Sequence, residues 1–564
     1  MGNMDFEIKI INGRVFDGTG TAETASDIGI NGGCIAKIGD LSNSSAEKII
    51  DAQGLIICPG FIDAHSHSDV YLLIEPSAAS KIYQGITTEI GGNCGASAAP
   101  LNGAYKMPAD WCAQLASNRA DFQSAMPNRT ADVQSAIPNR TADFQSAIPN
   151  RTADFQSAVP HWQSVAEYRT LYTEIQPAIN MALLVGHNTL HAGICGYEPR
   201  GATPDELRRM NHELERALDE GAIGLSSGLA YPPGSAVPRE ELIALAKTAA
   251  QRGGLYTTHM RSESNGLLEA IDEAIDIAEQ AEIQLHISHL KASGSANWNK
   301  LEPALEKIRR ALDLLGLPIS ADRYPYTASS TDLDILLPRW ATYGGRDAIL
   351  ARIRDPKTRA ALRAEFIDQP ADYWDNVMVG LTTLEAFKGN YLLEIAQKLN
   401  MEPVDAFLHL IDVDELKTGA IFFCMSESNL QRVLAEPYVS IGSDGSMRAP
   451  WGPLSTDHPH PRAYGSHTRF LRMALDGETV PLAEAIHKMT GLPAEQFGLK
   501  KRGVLKEGYA ADLVIFDPNA ISEKSTYAAP HQLSEGIRHV FVNGVHSLAD
   551  GKHTAHRAGQ FLAH

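Results

Sequence analysis

The stretch GFIDAHSHSD at residues 60–69 sets the pattern from which the fold is predicted. Its first part is a short apolar run with the length of a buried β-strand, and His65 and His67 stand at the end of that run. Because side chains two residues apart point to the same face of a strand, both imidazoles are expected on one side. The stretch therefore predicts a buried strand that presents two histidines at its carboxyl end.

Seven further runs of this kind follow, and amphipathic helix patterns separate them, for example at 204–221, 238–253 and 264–281. The runs are GITTEIGG (85–92), NMALLVGH (180–187), AIGLSSG (222–228), GLYTTHM (254–260), IQLHISH (283–289), LPISADRYPY (317–326) and YVSIGSDG (438–445). Alternation of strand and helix repeated eight times is typical of an α/β protein with a parallel (β/α)₈ barrel, the TIM barrel. We predict that barrel for residues 59–502.

Both ends of the chain have a different pattern, in which short alternating runs are separated by turn residues. We predict that residues 1–58 and 503–564 together form one small β-sandwich-like domain. A second departure lies between strands seven and eight, where the stretch at about 327–437 is longer than an ordinary βα connection. We expect this stretch to form an extra helical subdomain, placed as a lid near the barrel mouth.

An internal repeat interrupts the predicted barrel at residues 118–160. The unit NRTADFQSAIP, seen at 139–149, recurs with small changes and brings a proline about every 11 residues. Each unit is poor in apolar side chains, and proline prevents a continuous helix. The repeat is therefore predicted to be a flexible insertion.

The overall composition excludes several classes of protein. The 564 residues include 49 Lys plus Arg and 68 Asp plus Glu, which gives a formal net charge of −19. This balance argues against nucleic acid and anionic membrane surfaces as partners. No apolar run approaches the roughly 18–20 residues that span a bilayer, and the N-terminus has no signal-peptide pattern, so a cytoplasmic location is predicted. The six cysteines are scattered, which argues against a disulfide framework.

Metal-binding residue types gather at the carboxyl ends of the predicted strands. These residues are His65 and His67 after strand one, Cys94 after strand two, His259 after strand five, His289 after strand six and Asp444 after strand eight. In a TIM barrel the carboxyl ends of all strands meet at one mouth, where the chemistry of such enzymes takes place. Histidine and cysteine are ligands that zinc favours. The sequence therefore predicts a zinc site at the mouth.

The ordered motifs resemble those of the amidohydrolase superfamily, and within it the D-aminoacylases (N-acyl-D-amino-acid deacylases). The motifs are GFIDAHSHSD (60–69), GNCG (92–95), GHNTL (186–190), GLSSGLAYPPG (224–234), THMRSE (258–263), SHLK (288–291), YPYTASS (324–330), SDG (443–445), HPHPR (458–462) and GVLKEGYAADLVIFD (503–517). Outside the repeat, the resemblance covers nearly the whole chain.

The resemblance also implies a set of ligands. Many amidohydrolases carry a carboxylated lysine at the end of strand four, but this strand ends in SSG and has none. The D-aminoacylases are similar in this respect and use the cysteine of GNCG instead. The resemblance therefore implies that Cys94, His259 and His289 hold one tight zinc ion. His65 and His67 would form a second, weaker metal site.

The activity implied is hydrolysis of the acyl amide bond of N-acyl-D-amino acids, giving a carboxylate and a free D-amino acid. Zinc lowers the pKa of a water molecule, which attacks the amide carbonyl. Asp444 matches the general base of the family, which accepts the water proton and returns it to the leaving amine. The expected partner is thus a small N-acyl amino acid.

Four further residues are predicted to bind substrate. Arg462 in HPHPR matches a substrate-binding arginine of the D-aminoacylases, and Tyr324 and Ser330 in YPYTASS match polar residues that contact the substrate carboxylate. Lys291 follows His289 by two positions and is expected to face the same way. His191 stands where the family more often has arginine, a departure from the family pattern.

Two alternative functions remain open at the level of sequence. A cyclic-amide hydrolase, such as a hydantoinase or dihydroorotase, would share the barrel, but those enzymes use the lysine that strand four lacks. A non-catalytic barrel that retains its metal as a binding protein would not need Asp444 beside the predicted ligands.

Overall fold

The computed structural model describes residues 4–103, 105, 162–367, 369 and 373–563. The predicted repeat at 118–160 lies outside the described residues, as does Cys112. Within the described part of the chain, no helix is both long and apolar enough to cross a lipid bilayer.

Seven strands precede the barrel. They are β1 (Phe6–Ile11), β2 (Arg14–Val15), β3 (Thr24–Ala25), β4 (Asp27–Asn31), β5 (Cys34–Gly39), β6 (Ala46–Asp51) and β7 (Ile56–Pro59). Four of them form one sheet in the order β5-β4-β1-β6, while β2, β3 and β7 join a second sheet. Turn residues separate these strands, as at Gly32 and Gly33, whose positive φ angles suit a tight hairpin turn.

The first seven barrel strands alternate with helices. The strands are β8 (Phe61–Asp63), β9 (Ile86–Gly91), β10 (Asn180–Gly186), β11 (Gly224–Gly228), β12 (Leu255–His259), β13 (Leu285–Ile287) and β14 (Ile319–Arg323). The helices are α1 (Tyr71–Ile74), α2 (Ala79–Ile82), α3 (Val165–Ile175), α4 (His187–Cys195), α5 (Pro204–Asp219), α6 (Arg239–Gln251), α7 (Leu267–Ala281) and α8 (Leu301–Leu315). Every residue of β10 is buried, because helices cover one face and the barrel interior covers the other.

An insertion follows β14 and has its own apolar core. It contains β15 (Ala328–Asp332), α9 (Gly345–Arg354), α10 (Pro356–Ala364), β16 (Val377–Val379), α11 (Leu392–Leu399), α12 (Pro403–Val413) and β17 (Gly419–Phe423). The three strands pair antiparallel in the order β15-β17-β16. Leu333, Ile353, Leu392 and Phe407 belong to a hydrophobic cluster separate from that of the barrel. The insertion is therefore a small subdomain, and its first strand borders the barrel mouth.

The eighth barrel strand, β18 (Val439–Ile441), comes after α13 (Glu427–Leu434) and closes the barrel. The spatial order of the eight parallel strands is their chain order, from β8 to β14 and then β18. At the seam, the Ala64 N–H donates to the Ile441 carbonyl at 3.1 Å, and Ser66 forms a parallel bridge with Gly445. The predicted TIM barrel is confirmed. Three helices follow, α14 (Arg462–Leu475), α15 (Leu482–Met489) and α16 (Gly491–Gln496).

The C-terminal strands complete the small β domain. They are β19 (Leu513–Phe516), β20 (Ile537–Val542), β21 (Val545–Ala549) and β22 (Lys552–His553). β19 pairs antiparallel with β7, so the second sheet contains strands from both ends of the chain. Its core brings Ile10 and Ile30 against Leu513 and Phe541. The predicted β domain built from both termini is present.

Deleting residues 118–160 is expected to leave the fold intact. The described flanks of this part of the chain are held together, because the Leu101 N–H donates to the Gln163 carbonyl at 3.2 Å and the Trp162 indole N–H donates to the Ala98 carbonyl at 2.6 Å. Shortening a long connection changes the entropic cost of closing it by only about 1 kcal/mol. Thermal unfolding and amide hydrolysis of the deletion variant should match the full chain, and an insoluble or inactive product would refute this expectation.

Candidate metal centre

Six of the predicted side chains meet at the carboxyl end of the barrel. Donor atoms of Cys94, His259 and His289 lie within 4.8 Å of one another, and so do those of His65, His67, Cys94 and Asp444. The two groups share Cys94. The structure thus brings the predicted ligands and the predicted base together in two adjoining sets, with the thiol between them.

The Cys94 loop is held by close backbone packing. Gly92 has φ +75°, and a Cβ there would lie 2.0 Å from the Leu184 carbonyl oxygen. The Ser226 hydroxyl donates to the Gly92 carbonyl and accepts from the Gly95 N–H at 3.2 Å. Ser226 lies on β11 (Gly224–Gly228), the fourth barrel strand, which contains no lysine. Through Ser226, the fourth strand therefore holds the Cys94 loop in place.

Three of the site residues have strained backbones. Cys94, His289 and Asp444 have φ values of 52°, 37° and 49°, in the left-handed region that non-glycine residues rarely adopt. Such conformations cost about 1–3 kcal/mol each and persist only where the surroundings enforce them, most often at functional sites. The strain is independent evidence that this mouth is a built site.

Asp322 orders two of the histidines, and the sequence analysis missed it. Its carboxylate lies 3.0 Å from Nδ1 of His65 and accepts from the His289 backbone N–H at 3.0 Å. With Nδ1 fixed in this way, Nε2 of His65 faces Sγ of Cys94 at 3.3 Å. Carboxylates commonly orient metal-ligating histidines through the second ring nitrogen. The sequence feature that could have indicated this role is the position of Asp322 on the seventh barrel strand.

Glu263 is the second residue that the sequence analysis left without a role. Its Oε1 lies 2.7 Å from Nδ1 of His289 and 2.5 Å from Nζ of Lys291. Nε2 of His289 is therefore the nitrogen that faces Cys94, at 3.4 Å from Sγ. Lys291 borders the cavity, but its ammonium is bound by Glu263. The sequence feature that could have indicated a role for Glu263 is its place in the motif THMRSE, four residues after His259.

The donor set suits a borderline-soft divalent cation. Burial alone would raise the pKa of the Cys94 thiol, but the neighbouring His65 and His289 hold that pKa well below its usual range. The thiolate is the form that binds metals. Nδ1 of His259 is buried and has no hydrogen-bond partner among the residues that the structure describes. A thiolate beside two imidazoles, one with an unpaired nitrogen, fits zinc.

Asp444 forms an ion pair with the predicted substrate-binding arginine. Its carboxylate lies 3.1 Å from Nε2 of His67 and accepts from Nη1 of Arg462 at 2.8 Å. Burial would raise the pKa of Asp444, but the charges of Arg462 and His289 hold it well below its ordinary value. Asp444 is therefore ionised and able to accept a proton.

The remaining predicted substrate residues surround Arg462. Its Nη2 donates to the backbone carbonyl of Ser330 at 3.0 Å, and its guanidinium lies 4.8 Å from the centre of the Tyr324 ring. Tyr324 is fully buried, and its hydroxyl has no hydrogen-bond partner within the described chain. Ser330 and Arg462 line a cavity of about 2030 Å³ between the barrel mouth and the insertion.

The sequence of residues 48–546 matches the amidohydrolase family. The chain belongs to the amidohydrolase family. This amidohydrolase is 33% identical to the D-aminoacylase of Alcaligenes xylosoxydans xylosoxydans over 561 residues, which are 99% of this chain and 98% of that relative. The resemblance predicted from the motifs is confirmed.

Two solved structures resemble this amidohydrolase along its whole length. One is an N-acyl-D-glutamate deacylase from Bordetella bronchiseptica, in complex with zinc and a phosphonate inhibitor that mimics the tetrahedral intermediate of its reaction. It has a TM-score of 0.76 at 32% identity, with 99% of this chain and 100% of that chain covered. The other is a D-aminoacylase described as having a binuclear metal centre, with a TM-score of 0.78 at 32% identity and the same coverage.

Proposed function

We propose that this amidohydrolase hydrolyses the acyl amide bond of N-acyl-D-amino acids, releasing a carboxylate and a free D-amino acid. The observation that carries the proposal is the Cys94, His259 and His289 donor set beside the Asp444–Arg462 ion pair. The first group supplies a metal site, and the pair supplies a base and an anion-binding group. The full-length relatives named as a D-aminoacylase and an N-acyl-D-glutamate deacylase support this substrate class.

The proposed metal is zinc. Cys94, His259 and His289 would hold one tight ion, and His65 and His67 would contribute to a second, weaker site. When bound, zinc lowers the pKa of water and polarises the carbonyl of an amide. The zinc and the binuclear centre of the two related structures support this assignment.

Asp444 would move the proton. Its carboxylate is held by Arg462 on one side and His67 on the other, so it points into the group of donors. It would take a proton from the attacking water and give it to the amine nitrogen as the amide C–N bond breaks. Proton transfer by a positioned carboxylate typically contributes about 10²–10⁴-fold to a rate.

Arg462 would bind the α-carboxylate of the substrate, and this binding would tune Asp444. The guanidinium has five N–H donors and can serve two carboxylates. When a substrate carboxylate also pairs with the Arg462 guanidinium, the guanidinium stabilises the Asp444 carboxylate less. The pKa of Asp444 then rises towards its ordinary value, so the base is strongest when substrate is present.

The two alternative functions fit the site less well. At the end of the fourth strand, Ser226 binds the Cys94 loop and the Ser227 hydroxyl pairs with that of Tyr256 at 2.7 Å. These residues occupy the position from which a cyclic-amide hydrolase would present its lysine. A binding barrel would not require the ionised Asp444 at its centre.

A hydrolysis panel tests the proposed function. Purified, zinc-supplemented enzyme is expected to release amine from N-acetyl-D-amino acids at least about tenfold faster than from the L-enantiomers, a difference of about 1.4 kcal/mol in activation free energy. Dihydroorotate and hydantoins should not be opened. Protein with the Asp444→Asn substitution, purified in the same way, controls for contaminating activity. Equal rates on both enantiomers, or none on either, would overturn the proposal.

A further inference from the structure

A second cluster of metal-ligand residue types lies behind the cavity wall. His187 and His191 are four residues apart on α4, so their side chains lie on one face of the helix, with ring centres 5.6 Å apart. Glu241 reaches them from α6. The donor atoms of all three residues lie within 4.8 Å of one another, and none of the three belongs to the centre at the barrel mouth.

The three side chains converge on a single oxygen. Oε1 of Glu241 lies 2.9 Å from Nε2 of His187 and 2.8 Å from Nδ1 of His191. Its other oxygen, Oε2, accepts from the Ala202 backbone N–H at 2.7 Å, which fixes the carboxylate. Both histidines are fully buried and Glu241 is only 3% exposed, so water does not compensate their charges.

The hydrogen bonds around His187 show that positive charge is needed between this residue and Glu241. Asn188 Oδ1 accepts from the Gly228 backbone N–H and lies 3.3 Å from Nδ1 of His187, so Nδ1 of His187 is the protonated nitrogen. In a neutral imidazole, Nε2 of His187 then directs a lone pair at the carboxylate of Glu241. Two lone pairs at 2.9 Å repel each other, so this contact requires either a second proton, on Nε2 of His187, or a metal cation between the two atoms.

His191 can supply a second lone pair. Its Nε2 is buried and has no hydrogen-bond partner in the described residues, so Glu241 alone decides which ring nitrogen carries the proton. Beside the bare carboxylate the proton lies on Nδ1, and a metal ion at that oxygen would shift it to Nε2. With the proton on Nε2, Nδ1 presents a lone pair beside that of His187. The arrangement then offers two imidazole nitrogens and one carboxylate oxygen to a shared cation.

We propose that His187, His191 and Glu241 bind a divalent transition-metal ion of the zinc type, separate from the centre at the barrel mouth. Two imidazoles and one carboxylate form a common ligand set for zinc. Ligand atoms around zinc lie about 3.3–3.5 Å apart, given metal–ligand distances of about 2.0–2.2 Å. The observed contacts would have to open by only about half an ångström to accept the ion.

The position of the cluster gives the ion a bracing role. Asn188, next to His187, donates to the carbonyls of Gly228 and Tyr231 at 3.0 and 3.3 Å, and the Thr189 N–H donates to the Gly95 carbonyl at 3.1 Å. The first turn of α4 therefore holds both the Cys94 loop and the loop after the fourth strand. An ion on His187 and His191 would lock that turn to α6.

Metal content of single variants tests the proposal without using activity. Wild type and His191→Arg are equilibrated with Zn²⁺, freed of unbound metal and analysed by atomic emission. Arginine removes a ligand but can pair with Glu241, so the fold should persist. We expect the variant to hold about one zinc per chain fewer than wild type. His212→Arg, at an exposed position on α5, is the matched control and should keep the wild-type content.

Two further measurements locate the lost ion. With Co²⁺ in place of Zn²⁺, the thiolate charge-transfer band from the Cys94 site should be unchanged in His191→Arg, while the weaker d–d absorption falls. Glu241→Gln should lose the same ion, and it replaces His191→Arg as the test if that variant does not fold. Equal zinc content in wild type and the folded variant would overturn the proposal. This result would not affect the proposed deacylase function, because that function depends on the separate group of residues at the barrel mouth.

Discussion

The Cys94→Ala/His259→Ala double variant is expected to lose about one zinc per chain and essentially all hydrolysis of N-acetyl-D-amino acids. These two residues supply two of the three donors in the proposed tight site, and His289 alone would bind metal weakly. The lost water activation and carbonyl polarisation are worth several kcal/mol, which corresponds to a rate decrease of about 10³-fold or more. Atomic emission measures the metal, and a steady-state assay measures turnover.

A matched double variant separates loss of ligands from general damage. Cys34→Ala/His212→Ala removes a thiol and an imidazole at exposed positions and should retain wild-type zinc content and rate. Circular dichroism and thermal unfolding should show that both double variants are folded. If the zinc content of Cys94→Ala/His259→Ala equals that of wild type, the ligand assignment is wrong.

The barrel could be predicted because its strands leave a strong local signal. Strands such as β10 are buried on both faces and therefore read as unbroken apolar runs. Helix α5 has its own start signal, a capping box formed by Thr203 and Glu206 with Pro204 in the first turn. The residues of the metal centre could be recognised in the sequence for a related reason. Parallel strands all end at one mouth, so polar residues at strand ends, such as His289, are brought together by topology alone.

The residues that orient the ligands could not be assigned from the sequence. Asp322 lies 257 positions from His65, and its role depends on barrel closure, which brings the ends of the first and seventh strands together on either side of the eighth. Lys291 was expected to face substrate because of its spacing from His289, but spacing does not reveal that Glu263 binds its ammonium. Such contacts depend on the exact tertiary placement of side chains that lie far apart in the chain, which periodicity does not encode.

The ion pair between Asp444 and Arg462 is a further contact of this kind, and it determines how the base behaves. Each residue was predicted separately, one as a base and the other as an anion-binding group. At 2.8 Å they are coupled, because each stabilises the charged form of the other. Substitution of Asp444 therefore removes a base and also changes the surroundings of a buried arginine.

Asp444→Asn is expected to lower kcat by about 10³–10⁴-fold, or roughly 4–5 kcal/mol, with zinc content unchanged. The amide keeps an oxygen that can accept from Arg462 but cannot take up a proton from water, so the fold and the metal donors should survive. Asp272→Asn, at an exposed salt bridge with Lys307, is the matched control and should cost less than about 1 kcal/mol in stability and nothing in rate. Rate and zinc content measured on the same samples decide the outcome. Turnover within tenfold of wild type would remove Asp444 as the base, whereas joint loss of zinc and turnover would make it a metal ligand.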